Sequence, residues 1–122
     1  MRQSKTVSLI GLAMKAGKAA GGEYAAETTI RQGKASLVIL SEDASDNTVR
    51  KFSGMAASHK VPAVRYLSKT GLGQCIGKGE RSCLVITEEA LAEKIAQQIQ
   101  AEQKELKQTG KVVENIGKHQ NS

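Results

Sequence analysis

Apolar residues fall along this chain in short blocks of two kinds. From Gln3 to Lys15, the residues Thr6, Leu9, Ile10, Ala13 and Met14 recur at helical spacing, and Gly17 follows as a stop. Lys18-Ala19-Ala20 is a short link or strand ending at Gly21-Gly22. Residues 23–32 read as a second helix closed by Gly33, and Ala35 to Leu40 as a fully buried strand. Ser45-Asp46 offers N-cap oxygens to a helix that runs to about Lys60 with Val49, Phe52 and Ala56 inward. Val61-Pro62 ends it, and Ala63 to Leu67 is the next strand. Ser68 caps a short helix with Leu72, Cys75 and Ile76 inward, and Gly77 takes the left-handed position at its end. Lys78-Gly79-Glu80-Arg81 is an exposed loop before the strand Cys83-Leu84-Val85-Ile86. Thr87 is expected to cap a long last helix with Leu91, Ile95, Ile99 and Leu106 on one stripe. This order of short strands and helices predicts an α/β fold, a central sheet with helices on both faces. One domain is expected over residues 1–108, with a polar, flexible tail over 109–122.

Composition narrows the function. The 122 residues carry 18 Lys and Arg against 12 Asp and Glu, a net charge of +6. The excess lies in residues 1–81, with 13 basic and 6 acidic side chains; residues 82–122 carry 5 and 6. A basic body suggests a polyanionic partner. Phe52, Tyr24 and Tyr66 are the only aromatic residues, which argues against folds that stack bases on several rings. Cys75, Cys83, His59 and His119 are too few and too scattered for a zinc site. No apolar run approaches a membrane span, no leader pattern opens the chain, and the thiols are expected to be unpaired. The cytoplasm is the expected compartment.

Nucleotide and catalytic motifs fit poorly. Gly11 to Gly17-Lys18 and Gly71 to Gly77-Lys78 each have one residue too many for a phosphate-binding P-loop and lack its Ser or Thr. Gly71-Leu72-Gly73 begins a dinucleotide fingerprint, but Ile76 stands where the third glycine belongs. Cys75 suits a small core position, His59 a helix C-terminus, and Glu42-Asp43 a solvated or capping role. No enzyme, metal site or cofactor is expected. Gly21-Gly22 leaves the first-turn N–H groups of the second helix uncovered, with Lys18 before it and Lys34 past its far end. Two readings stand there: an anion site, or a tight turn whose helix dipole Glu23 satisfies. The loop Lys78 to Arg81 is likewise either a basic finger or a solvated connector.

These stretches together carry a resemblance. Ile30-Arg31-Gln32-Gly33-Lys34-Ala35-Ser36-Leu37-Val38-Ile39 resembles the helix-to-strand junction of the kink-turn-binding ribosomal-protein family. Leu72-Gly73-Gln74-Cys75-Ile76-Gly77-Lys78 with Arg81 is similar to its second hallmark. Gly17-Lys18 and Gly21-Gly22 extend the match to about residues 5–100. Leu9-Ile10-Gly11-Leu12-Ala13 and Glu42-Asp43-Ala44-Ser45, followed by Asn47-Thr48, resemble the bacterial YlxQ-like branch. The resemblance implies a three-layer α/β/α sandwich around a mixed, roughly four-stranded sheet. It also implies a monomeric RNA-binding protein tied to translation, with structured RNA, ribosomal RNA above all, as partner. By position the implied RNA-binding residues are Lys18, Gly21, Gly22, Glu23, Tyr24, Ala25, Thr28 and Lys34, facing Lys78, Gly79, Glu80, Arg81 and Ser82. The family's kink-turn readers carry Asn or Lys, Glu or Gln, and Lys where this chain has Tyr24, Ala25 and Thr28. Ala25 cannot pair with a guanine edge, and each lost base contact costs about 1–3 kcal/mol. Phosphate contacts would survive these changes. Tyr24 either stacks on an unpaired base or packs under the first helix. The alternative function is a protein-interaction module that uses the long last helix, with RNA contact incidental.

Overall fold

The computed structural model describes residues 4–118, with side chains described through Lys104. Local chemistry sets the ends of most elements. Ser4 caps α1 (Lys5–Lys15), its hydroxyl accepting from the Val7 N–H at 3.0 Å. β1 (Ala19–Gly21) leads to α2 (Glu23–Arg31), which starts on Gly22 with φ at +106°. β2 (Leu37–Leu40) follows, then α3 (Asp46–Ser58), capped by Ser45. β3 (Ala63–Arg65) is shorter than the expected strand. Ser68 caps α4 (Lys69–Cys75), accepting from the Gly71 N–H at 3.0 Å. β4 (Cys83–Ile86) and α5 (Glu89–Lys118) complete the fold.

Four helices stop in one way. Gly17, Gly33, Lys60 and Gly77 adopt positive φ just past α1, α2, α3 and α4. The N–H of the next residue then reaches back five positions: Lys18 to Ala13, Lys34 to Thr29, Val61 to Ala56 and Lys78 to Gly73. This is the Schellman geometry, which satisfies carbonyls the helix leaves open.

The sheet runs β1-β4-β2-β3, with β2 and β3 parallel and the other pairs antiparallel. It is mixed and four-stranded, as expected. Alternation divides its side chains between two cores. Leu37, Ile39, Leu84 and Ile86 pack with Ile10, Leu72, Ile95 and Ile99 from α1, α4 and α5. Val38, Leu40, Cys83 and Val85 pack with Ala26, Ile30, Phe52 and Ala56 from α2 and α3. The result is an α/β/α sandwich. Glu102 ties α5 to the start of α1: its carboxylate accepts from Thr6 Oγ1 at 2.6 Å and from Tyr66 Oη at 2.7 Å. Burial, and then this carboxylate, push the Tyr66 phenol pKa up.

Two expectations fail at α5. Thr87 does not cap it; its N–H instead donates to the Lys18 carbonyl at 2.8 Å. The first helical bond joins the Ala92 N–H to the Glu88 carbonyl, so Glu88 holds the capping position. The helix also passes the expected end at residue 108 and continues through Gly110 to Lys118. The tail residues 119–122 lie outside the described residues.

Strand directions give the molecule two ends. β2 and β3 finish, and β4 begins, at what we call the upper end; α2, α3 and α4 start there. α1, α2 and α3 stop at the lower end, where α5 begins.

Candidate nucleic-acid interface

The segment from Gly77 to Ser82 is shaped by α4. Gly73 lies inside that helix, yet a Cβ on it would overlap the Gly79 carbonyl oxygen and lie 2.6 Å from the Gly79 carbonyl carbon. The absent side chain is what lets the loop fold onto its own helix. The Arg81 N–H donates to the Lys69 carbonyl at 3.0 Å, closing the loop against the start of α4. The Arg81 side chain then turns back. Its Nη1 donates to the Glu80 carbonyl at 2.9 Å and to the Gly79 carbonyl at 3.3 Å.

Arg81 thereby crosses the other candidate segment. A Cβ on Gly22 would lie 3.6 Å from Arg81 Nε, and one on Gly21 would lie 3.7 Å from Arg81 Cγ. The Gly21 position is also closed by Ile76, whose Cδ1 a Cβ would overlap. The Gly22 N–H donates to the Cys83 carbonyl at 2.8 Å, fixing the turn to β4.

α2 opens toward this junction. No side chain caps it, and its first internal bond is from the Ala26 N–H to the Gly22 carbonyl at 2.9 Å. The N–H groups of Glu23, Tyr24 and Ala25 therefore face out of the helix start. The Glu23 carboxylate stands in this first turn, and its Oε2 accepts from Ser82 Oγ and Thr48 Oγ1, each at 3.0 Å. Thr48 in turn accepts from Ser45 Oγ at 3.0 Å. This chain of hydroxyls links the starts of α2, α3 and β4. Residues 25 positions apart meet in it, and no local sequence pattern announces that contact. Tyr24 is 84% exposed, so it does not pack under α1. Ala25 and Thr28 are half-buried.

The upper end thus gathers Gly21, Gly22, Glu23, Tyr24 and Ala25 with Lys78, Gly79, Glu80, Arg81 and Ser82, and Thr28 lies about one turn further along α2. Lys18 and Lys34 do not join them. Lys18 precedes β1 beside Thr87, and Lys34 follows the far end of α2. The nine residues of α2 separate its ends by about 14 Å. Both lysines belong to the lower end.

Neighbouring charges are already engaged. Lys51 first, then Arg31, hold the Glu27 carboxyl below its usual range, at 2.9 and 2.7 Å. Burial, then the Glu23 charge, push the Cys83 thiol up to about 12, so it is neutral. Asp43 Oδ1 accepts from the Lys69 N–H at 2.9 Å and serves α4 as a second cap. His59 Nδ1 lies 3.0 Å from the Met55 carbonyl at the end of α3. No group of His, Cys, Asp and Glu among the described residues has the arrangement of a metal site.

Comparison with known proteins agrees with this architecture. Residues 4–96 match the model of the ribosomal protein L7Ae/L30e/S12e/Gadd45 family. The chain is 39% identical over 87 residues to the RNA-binding protein YlxQ of Bacillus subtilis, covering 71% of this chain and 87% of that one. It is 36% identical over 98 residues to the RNA-binding protein YlxQ of Enterococcus faecium, covering 80% and 94%. Among solved structures, a Bacillus halodurans protein of unknown function superposes with a TM-score of 0.77 at 32% identity, covering 80% of this chain and 99% of that one. The 15.5 kD RNA-binding protein of Giardia lamblia shares the fold, with a TM-score of 0.67 at 21% identity over 83% and 90%.

Proposed function

The chain belongs to the ribosomal protein L7Ae/L30e/S12e/Gadd45 family, and on that premise we propose that it is a non-enzymatic protein that binds structured RNA on its upper end. The observation that carries this reading is the seat of Arg81 across Gly21 and Gly22. It joins a cationic loop to an uncapped helix start, with no side chain at either glycine to hold a phosphate away. Lys78 and Arg81 supply charge, and the N–H groups of Glu23, Tyr24 and Ala25 supply donors. The exposed Tyr24 ring offers a face to an unpaired base. Glu23 limits the site. Its carboxylate already answers the α2 dipole, so phosphates are held from the Arg81 side rather than head-on.

In this reading the protein acts as a monomer in the cytoplasm, with ribosomal RNA as the partner. No helix among the described residues is long and apolar enough to cross a membrane. With Tyr24, Ala25 and Thr28 in place of base-pairing side chains, an ordinary kink-turn is bound mainly through its backbone. Titration of ribosomal RNA fragments and a kink-turn hairpin at several salt concentrations tests the reading. Binding that weakens steeply with salt is the expected result. Absence of binding at low salt, or binding indifferent to salt, overturns it.

A further inference from the structure

A cleft of about 360 Å³ opens between α1 and the end of α4, with Gly11, Leu12, Lys15, Cys75, Ile76 and Gly77 in its wall. Apart from Tyr24, Leu12 is the one large apolar side chain left exposed among the described residues, at 59%. The α1 and α4 backbones come close here, since a Cβ on Gly11 would lie 3.3 Å from the Cys75 carbonyl oxygen.

The cleft is continuous with the upper end. Ile76 closes it on one side and touches the space above Gly21 on the other, and Gly77 leads directly into Lys78. Its wall contains no acidic residue, and its only charge is Lys15. Burial pushes the Cys75 thiol pKa up, so that wall stays neutral. A cleft with mixed polar and apolar walls, Lys15 in its lining, Lys78 one residue past Gly77 and no acidic residue suits a nucleotide, whose base needs both kinds of contact and whose phosphates need cations. It suits an acidic or a strongly basic peptide less well.

We propose that this cleft takes an unpaired nucleotide next to the structured motif held on the upper end, with the base against Leu12 and Ile76 and phosphates on Lys15 and Lys78. The proposal deepens the RNA-binding reading and rests on it. The probes are a kink-turn hairpin, the same hairpin with a four-uridine single-stranded extension on either end, and the uridine oligomer alone. Leu12 and Lys15 are both exposed, so Leu12→Glu and Lys15→Gln leave the fold intact.

One of the two extensions should tighten binding to the unmodified protein by about fivefold or more. Leu12→Glu should abolish that gain and leave the plain hairpin bound as before. Light-induced crosslinking from 4-thiouridine in the extension should fall on peptides from 5–15 or 69–78. No gain from either extension, or an equal gain in Leu12→Glu, overturns the cleft proposal. If the plain hairpin does not bind but the oligomer binds through Leu12, the upper-end reading fails, and with it the placing of the nucleotide beside a motif held there. If neither RNA binds, both fail.

Discussion

Gly73 sits where α4 meets the loop and has no room for a side chain. Replacing a glycine inside a helix by alanine ordinarily stabilises it by about 1 kcal/mol. Here the sign reverses, because the new methyl would meet the Gly79 backbone rather than a mobile side chain. Gly73→Ala should lose about 1–3 kcal/mol in thermal unfolding and weaken RNA binding as the loop is pushed off α4. A more stable variant would show that the loop is not held there. Cys83 makes a separate prediction. Its folded pKa, about 12, lies above the value near 9 of a free thiol. Its contribution is therefore complete below pH 9 and lost as pH rises toward 12. Urea unfolding between pH 8 and 11 should show stability falling by up to ~1.4 kcal/mol per pH unit from this group. Cys83→Ala should fall less steeply; equal slopes would contradict the assignment.

The elements show which signals act locally. Ser45 and Ser68 are legible as caps because the hydroxyl and the N–H it serves lie three residues apart. Thr87 misleads because the helix begins one residue later, on the Glu88 carbonyl, while the Thr87 N–H ties to Lys18, 69 residues away. Gly110 lies within α5, where one glycine costs about 1 kcal/mol and does not end a helix. The Gly-Lys pairs are the instructive case. Gly17-Lys18, Gly33-Lys34 and Gly77-Lys78 look like pieces of a phosphate site, yet each closes a helix, with the lysine beside the negative end of the dipole. Only Gly77-Lys78 does so at the upper end. α3 closes in the same way on Lys60, with φ at +59°. A non-glycine residue there costs about 1 kcal/mol. Lys60→Gly should raise the melting temperature by about 4 °C, and a fall would mean that the Lys60 side chain makes a contact worth more than the strain.

At the scale of the molecule, the charge of +6 is divided between two ends that the sequence cannot separate. Both candidate RNA segments are legible as glycine-bearing turns near cations. Their meeting is legible only through the family resemblance, since it depends on Arg81 lying across Gly22 and on Gly73 admitting Gly79. The direction of α2 then removes Lys34 from a cluster in which chain order had placed it. On the proposed function, the upper end is the RNA surface and the lower end is not required for a short RNA. The direct test is the salt dependence of binding to a hairpin short enough to touch one end, measured for Arg81→Ala and Lys34→Ala. Arg81→Ala should weaken binding and flatten the plot of log K against log salt by about one unit, while Lys34→Ala matches the unmodified protein. A flattened slope in Lys34→Ala with none in Arg81→Ala would contradict the account.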